Sequence, residues 1–321
     1  MTLHQARLAA LTGLLVLAGC GPAILRSTVD GTPSRELLAQ FWVEPGRGRD
    51  LFHGPWGAKH APRPDIVYKL EGTNQGGFSP KWDVTDPAGG KWGVKMGDEA
   101  QPEVTTSRIL WGVGYHQPPN YYLPRWRVDN GNQVQHVGPG RFRPSLADLD
   151  QKGDWAWREN PFVGTQQYRG LLVLLMMLNS TDLKDDNNGV YELRRPREGA
   201  RRWYVVRDVG SSLGETGWTP RRNDIELFEK APFVTGIEDG YVQFEDRGRH
   251  TSLLERLRPA DVVWMCERLQ RLTPRQWRDA FRAGGYDEAT TGRYVRKLRE
   301  KIEEGLALKG RVERRPSTHA P

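Results

Sequence analysis

Leu171-Leu172-Val173-Leu174-Leu175-Met176-Met177-Leu178 runs directly into Asn179-Ser180-Thr181-Asp182-Leu183-Lys184-Asp185-Asp186-Asn187-Asn188, and a Tyr- and Val-rich segment then leads to Asp208-Val209-Gly210. The apolar run is too short to span a bilayer, so it predicts a buried core helix, with Thr165 available as its cap. The polar stretch after it is a loop at a helix end that carries Asp182, Lys184 and Asn187, while Asp208 ends a strand just before a glycine. These groups together can supply the acids and amide of a nucleotide–Mg²⁺ site.

A calcium loop is the first competitor. Asp186, Asn188 and Gly189 fit positions three, five and six of an EF-hand, but positions one and twelve would then be Lys184 and Arg195, where the ion needs acids. The calcium reading fails. A generic solvated acidic loop is the other competitor, and the second Asp motif is what speaks against it.

Upstream, the pattern from Asp65 is that of strands. Ile66 to Leu70 is β-rich, Gly72 to Gly77 forms a turn, Phe78 to Val84 alternates, and Trp92 to Met96 is a third strand carrying Lys95. A helix is expected after Lys95, with Glu99 and Glu103 in its early turns and Val104, Arg108 and Trp111 recurring on one face until Gly112 to Gly114. Tyr121 to Val128 supplies further strands, and Gly131 to Pro144 reads as a loop.

In this combination the chain resembles the protein-kinase-like superfamily, and its atypical members in particular. There an Asp-x-Lys-x-x-Asn catalytic loop precedes an Asp-Phe-Gly metal motif. The resemblance covers approximately residues 65 to 305 and implies an α+β, two-lobed kinase-like fold with a β-rich N-lobe and a mainly helical C-lobe. It implies ATP or another nucleotide with Mg²⁺ or Mn²⁺ as cofactors, and phosphoryl transfer to an unknown acceptor. Lys95 would hold the α- and β-phosphates, paired with Glu103 or, one turn earlier, Glu99. Gly76 and Gly77 would belong to the nucleotide-binding turn, Asp182 would orient or deprotonate the acceptor, and Lys184 would offset γ-phosphate charge. Asn187 and Asp208 would bind the metal. Three departures stand out: Gly72, Gly76 and Gly77 do not spell Gly-x-Gly-x-x-Gly, Val209 replaces the usual Phe, and no Ala-Pro-Glu follows.

After Asp208 the chain turns helical, with amphipathic spacing over Leu253–Leu257, Asp261–Leu272, Thr273–Ala283 and Thr290–Leu308. Between the two motifs, Val190–Leu193 and Trp203–Val206 predict a hairpin over the charged turn Arg194–Arg202.

With 321 residues, 27% of them charged and 37% apolar, the composition is that of a folded protein, not a disordered one. The formal charge of +7 is spread without any long basic block, so no nucleic-acid partner is expected. His53 and His60 lie in a Gly- and Pro-rich stretch without further ligands at metal spacing and read as loop histidines. Cys266 sits in an apolar run and reads as a core thiol.

The N-terminus predicts an address. Arg7 precedes a short apolar core from Leu8 to Ala18, and Leu17-Ala18-Gly19-Cys20 resembles the bacterial lipobox. The expected organisation is a lipoprotein signal peptide over 1–19, a tether and loosely specified extension over 20–64, the N-lobe over 65–154, the C-lobe over 155–310 and a disordered tail over 311–321. Cys20 would anchor the protein in the bacterial cell envelope, with the outer membrane favoured, if the host has one, because Gly21, rather than Asp, follows it. A non-catalytic envelope lipoprotein that binds a protein or glycan partner is the alternative, although a scaffold needs no such set of acid, amine and amide. Replacing Cys20 with Ser should abolish labelling of the chain by a fatty-acid probe, because acyl anchoring needs that thiol. Unchanged labelling would exclude Cys20 as the anchor.

Overall fold

The structure, a computed structural model, describes residues 23–26, 28, 31–74, 76–217, 221–245 and 250–312. The expected signal peptide and Cys20 lie outside these residues. The described residues open with a short strand, β1 (Ile24–Leu25), and a single-turn helix, α1 (Arg35–Leu38), where Ser34 Oγ accepts the Leu37 N–H. From there to residue 64 it is mostly irregular, yet it is tied down. Phe41, Trp42, Leu51 and Trp56 are buried, the Trp42 indole donates to Val113 O at 2.8 Å, and Phe41 stacks on Phe162 with centroids 4.6 Å apart.

Period-two alternation builds the N-lobe. Strands β2 (Val67–Asn74), β3 (Lys81–Thr85) and β4 (Lys91–Met96) form a meander, helix α2 (Ala100–Gly112) follows, and β5 (Tyr121–Leu123), β6 (Trp126–Asp129), β7 (Val134–Val137) and β8 (Gly140–Pro144) complete a seven-stranded sheet. Its order is β5-β8-β4-β3-β2-β6-β7, antiparallel except for the β2–β6 pair. One face collects Tyr68, Val84, Trp92, Val94, Trp126 and Phe142 into an aromatic core, and the other carries Lys95, Arg141 and Arg143. The reading of Gly131 to Pro144 as a loop is corrected here. Both β7 and β8 lie inside that stretch, and β8 alternates an inward Phe142 with two arginines that are also turned toward protein.

The C-lobe pairs β9 (Leu149–Trp155) with β10 (Asn188–Arg197), which in turn pairs with β11 (Ala200–Val206) in a sheet of order β1-β9-β10-β11. The insert between the two Asp motifs is thus a longer hairpin than its apolar residues predict. Helix α3 (Gln166–Met177) starts at Thr165, whose Oγ1 accepts the Tyr168 N–H at 3.1 Å, and is buried from Gly170 through Met177, as befits a helix that is apolar all round. Gly170 is required there: a Cβ would come within 2.4 Å of the Trp264 ring.

The remaining elements are α4 (Ile225–Lys230), the hairpin β12 (Val234–Glu238) and β13 (Tyr241–Phe244), and helices α5 (Pro259–Gln270), α6 (Pro274–Ala283), α7 (Glu288–Leu306) and α8 (Lys309–Val312). A capping box of Thr273 and Gln276 opens α6, and Asp287 caps α7. Leu253–Leu257, expected to be helical, holds only the end of a 3₁₀ turn at Thr251–Leu253. Cys266 is fully buried, and burial pushes its thiol up to about 12. Among the described residues no helix is long and apolar enough to cross a membrane.

Lys301 of α7 fixes the end of α3. Its buried Nζ donates to Met177 O at 2.9 Å and Asn179 Oδ1 at 3.0 Å, and it lies 4.2 Å from the Phe228 ring centroid. Burial pushes this amine down to about 7, and Lys297 nearby adds to the effect. A neutral amine has two N–H groups, which match the two acceptors. Between about pH 7 and the ordinary lysine value of 10.5 the unfolded chain therefore holds a proton that the folded chain does not, and stability should rise with pH. The contribution approaches about 1.4 kcal/mol per pH unit within that window. Lys301→Met should flatten the rise in urea midpoint over this range; a rise of the same slope would exclude Lys301 as its source.

Candidate active site

The register of β4 and β8 sets an electrostatic problem. Lys95 stands directly opposite Arg141, and Gly93 stands opposite Arg143, on the face away from the aromatic core. Like charges directly opposed across a sheet repel, and here Lys95 is 2% and Arg141 7% exposed. Helix α2 supplies the answer. Glu103, fully buried, puts Oε2 at 2.8 Å from Lys95 Nζ and Oε1 at 3.0 Å from both Arg141 Nε and Arg143 Nη2. Glu99, one turn earlier, reaches Lys95 at 3.2 Å while also accepting from Ser79 Oγ and pairing with Arg222. The choice between the two glutamates as the partner of Lys95 is therefore not exclusive, and Glu103 has the shorter contact.

The second lobe reaches the same amine. Asp208 Oδ1 lies 2.7 Å from Lys95 Nζ, with the Asp208 side chain about one-third exposed. Burial works to raise the Asp208 pKa, but Lys95, with Arg141 and Arg143 behind it, holds this carboxyl well below the usual range. Burial opposes the charge on Lys95, and Glu103, Asp208 and Glu99 together raise its pKa above the lysine norm.

The loop after α3 is held at both ends. Asn179 adopts a positive φ of 54°, with its amide donating to Gly214 O and its carbonyl oxygen accepting from Lys301. At the other end Asn187 O accepts both the Arg207 N–H at 3.0 Å and the Asp208 N–H at 3.1 Å, while Asn187 Nδ2 donates to Asp182 O at 2.6 Å. Lys184 Nζ lies 2.9 Å from Asp182 Oδ2. The polar groups singled out in the sequence thus form one chain of contacts: Lys184 to Asp182, through Asn187 to Asp208, and across the lobes to Lys95. Asp185 has another task, since its Oδ1 accepts the Trp157 N–H at 2.9 Å.

Gly76 and Gly77 sit on the exposed β2–β3 turn, where Gly76 N–H donates to Asn74 Oδ1 and Gly77 has φ of +92°. What joins this turn to the cluster is Ser79 on Glu99 and Phe78, whose ring lies 3.7 Å beneath the Arg222 guanidinium.

Three arginines of the site escaped the sequence reading. Arg141 and Arg143 flank Glu103, and Arg143 also donates to Asn120 Oδ1 and to Arg207 O, one residue before Asp208. Arg207 ties Asp154, Asn188 O and Asp186 O together. The alternation Gly140-Arg141-Phe142-Arg143-Pro144 was the available signal. A cleft of about 950 Å³ opens beside the cluster, walled by Asp83 and Gly93 from the sheet, Leu146 from the link between lobes, and Tyr191 from β10. It meets the cluster at Arg141, Arg143 and Arg207; Lys95 and Asp208 are not part of its wall. Its size suits a small-molecule ligand.

No protein-family model and no curated protein sequence matches the chain. Among solved structures it is similar to the Helicobacter pylori proinflammatory kinase CtkA, at 11% identity over 78% of this chain and 98% of that one, with a TM-score of 0.48. It is also similar to the Rio2 kinase of the ADP/Mg²⁺-phosphoaspartate complex from Chaetomium thermophilum, at 11% identity over 75% of this chain and 73% of that one, with a TM-score of 0.30.

Removing one partner of a buried charge cluster leaves the others uncompensated, at a cost of about 3–5 kcal/mol. Glu103→Gln should therefore lower unfolding free energy by roughly that much, and by more than Glu99→Gln, because Glu103 alone faces three cations. Equal urea midpoints for the two variants would contradict the central place of Glu103.

Proposed function

We propose that this chain is a kinase-like phosphotransferase, moving a phosphoryl group from a Mg²⁺- or Mn²⁺-bound nucleotide to an acceptor, and that Cys20 anchors it in the bacterial cell envelope. The observation that carries the catalytic reading is the continuous chain of contacts from Lys184 and Asp182 through Asn187 to Asp208 and Lys95, which gathers an acid, an amine, an amide and a second acid between two lobes.

The residues present fit a hard divalent cation. Asp208 is kept ionised by its cationic neighbours, and Asn187 donates from Nδ2 to Asp182 O, which leaves its Oδ1 lone pairs for a cation. Two protein oxygens are the usual share for Mg²⁺, which keeps waters and phosphate oxygens as its other ligands. Such an ion, when bound, supplies charge neutralisation for the transferring phosphoryl group. On this reading Lys95, held by Glu103, neutralises the α- and β-phosphates. Asp182, itself steadied through its carbonyl, orients the acceptor hydroxyl and takes its proton as the new P–O bond forms and the bond to the nucleoside diphosphate breaks. Lys184 beside it offsets charge on the γ-phosphate.

A metal ligand acts on the bound ground state as well as on the transition state, whereas a group that positions the acceptor matters when bonds are exchanged. In calorimetry Asp208→Asn should weaken Mg²⁺-nucleotide binding. Asp182→Asn should retain binding but lose transfer by about 10²-fold or more. A wild-type chain that binds no nucleotide with Mg²⁺ or Mn²⁺ at millimolar concentration would overturn the catalytic reading.

A further inference from the structure

A second cavity, of about 610 Å³, lies in the C-lobe on the far side of the Asp182 loop's support. Its floor is apolar and buried: Trp157, Tyr168, Leu172 and Leu257 are each 5% exposed or less. Its rim is cationic, with four arginines and no Asp or Glu among the described wall residues. Arg169 is neutralised by Asp261 at 2.8 Å, but the other three have no carboxylate partner among the described residues. Arg158 reaches only the Ser252 hydroxyl, at 2.6 Å, and Arg258 lies over the Tyr241 ring. Arg158 and Arg256 are exposed. Glu159, next to Arg158, is engaged by Arg26, and Glu255, next to Arg256, is not part of the wall. Uncompensated guanidinium groups around an apolar floor call for an occupant that brings both carboxylates and a large apolar group.

The floor is also the mount of the candidate catalytic loop. Trp157 donates its backbone N–H to Asp185 Oδ1 and its indole N–H to Lys184 O, and its own carbonyl accepts from the Tyr168 hydroxyl at 2.5 Å. Whatever covers Trp157 is therefore held against the segment that carries Asp182.

We propose that this pocket docks an acidic segment of a protein acceptor, setting an aromatic or large aliphatic side chain on the Trp157–Leu172 floor and flanking carboxylates on Arg158, Arg256 and Arg258. The assignment to an acceptor rests on the reading of the Asp182 loop as the transfer centre. A bare anion such as inorganic phosphate would leave the apolar floor uncovered, and the concave volume suits inserted side chains better than a flat lipid surface.

The test is fluorescence anisotropy with the full chain in non-ionic detergent, using a fluorescein-labelled peptide of alternating Glu and Phe and its counterpart of alternating Gln and Phe. The acidic peptide should bind at least about tenfold more tightly than the Gln peptide, and the preference should shrink in about 0.5 M salt. The double variant Arg158→Glu, Arg256→Glu should lose the preference while melting at the wild-type temperature, since both side chains are exposed. Equal affinity for the two peptides would overturn the proposal. So would displacement of the labelled peptide by phosphatidylglycerol in mixed detergent micelles or by inorganic phosphate together with failure of excess unlabelled acidic peptide to displace it. A parallel Mg²⁺-ATP titration separates the two readings: peptide binding without nucleotide binding would keep the pocket and overturn its assignment to an acceptor.

Discussion

The structure depends on one buried carboxylate. Register places Lys95 against Arg141 and brings Arg143 alongside, so three cations crowd one face of the N-lobe sheet, and Glu103 is the group that all three share. With Glu99 and Asp208 added, and Arg222 paired with Glu99, three carboxylates face four cations, drawn from β4, α2 and its N-cap, β8 and the segment that follows β11. Such a cluster is a poor way to gain stability, because desolvating the charges costs about as much as their attraction returns. Its consequence is geometric. The sheet, the helix over it and the start of the second motif are fixed relative to one another, and that relation is what a site between two lobes requires.

The C-lobe achieves the same stiffness chiefly through hydrogen bonds to backbone groups. Asn187 uses its carbonyl on two successive N–H groups and its amide on Asp182, so the two Asp motifs share one residue as their hinge pin. Lys301 and Asn179 clamp the start of the loop, and Trp157 clamps its middle through Asp185. Of the acids in the loop, Asp182 keeps a partly exposed side chain next to Lys184, while Asp185 is committed to the backbone of another segment. A loop so thoroughly satisfied at its backbone loses little entropy when a ligand arrives, which is the condition for positioning groups closely.

What was legible in the sequence had local signatures. The apolar run of α3, its Thr165 cap, the polar loop after it and the strand bearing Lys95 were each read from periodicity and spacing, and the two-lobed order of β-rich then helical elements is the order found. Strand β8 was not legible, because its two arginines look like solvent-facing residues until the β4 register turns them toward Glu103. The double contact of Lys95 with Glu99 and Glu103 depends on helix rotation, and a single sequence leaves that rotation open. Residues 20 to 64 read as a tether and loosely specified extension because the buried aromatics within it are held by distant partners, Phe41 by Phe162 and Trp42 by Val113 O. Apart from the alternation of β8, these features rest on long-range contacts that no local pattern announces.

The direct pairing of Lys95 with Asp208 also constrains how the site can be used. Only one oxygen of Asp208, Oδ1, is engaged by the amine, and the side chain is about one-third exposed, so the carboxylate retains capacity for a cation without first being unburied. Lys95, for its part, is held by Glu103 and Glu99 whether or not Asp208 turns away. A ligand that brings its own divalent ion can therefore take Asp208 from Lys95 while anionic phosphates replace the lost carboxylate at the amine, leaving the charge balance of the buried cluster intact. An anion arriving without a cation would add negative charge beside Asp208, and a cation arriving alone would leave Lys95 one partner short. Under the proposed phosphotransfer, this charge balance favours a ligand in which the two come together.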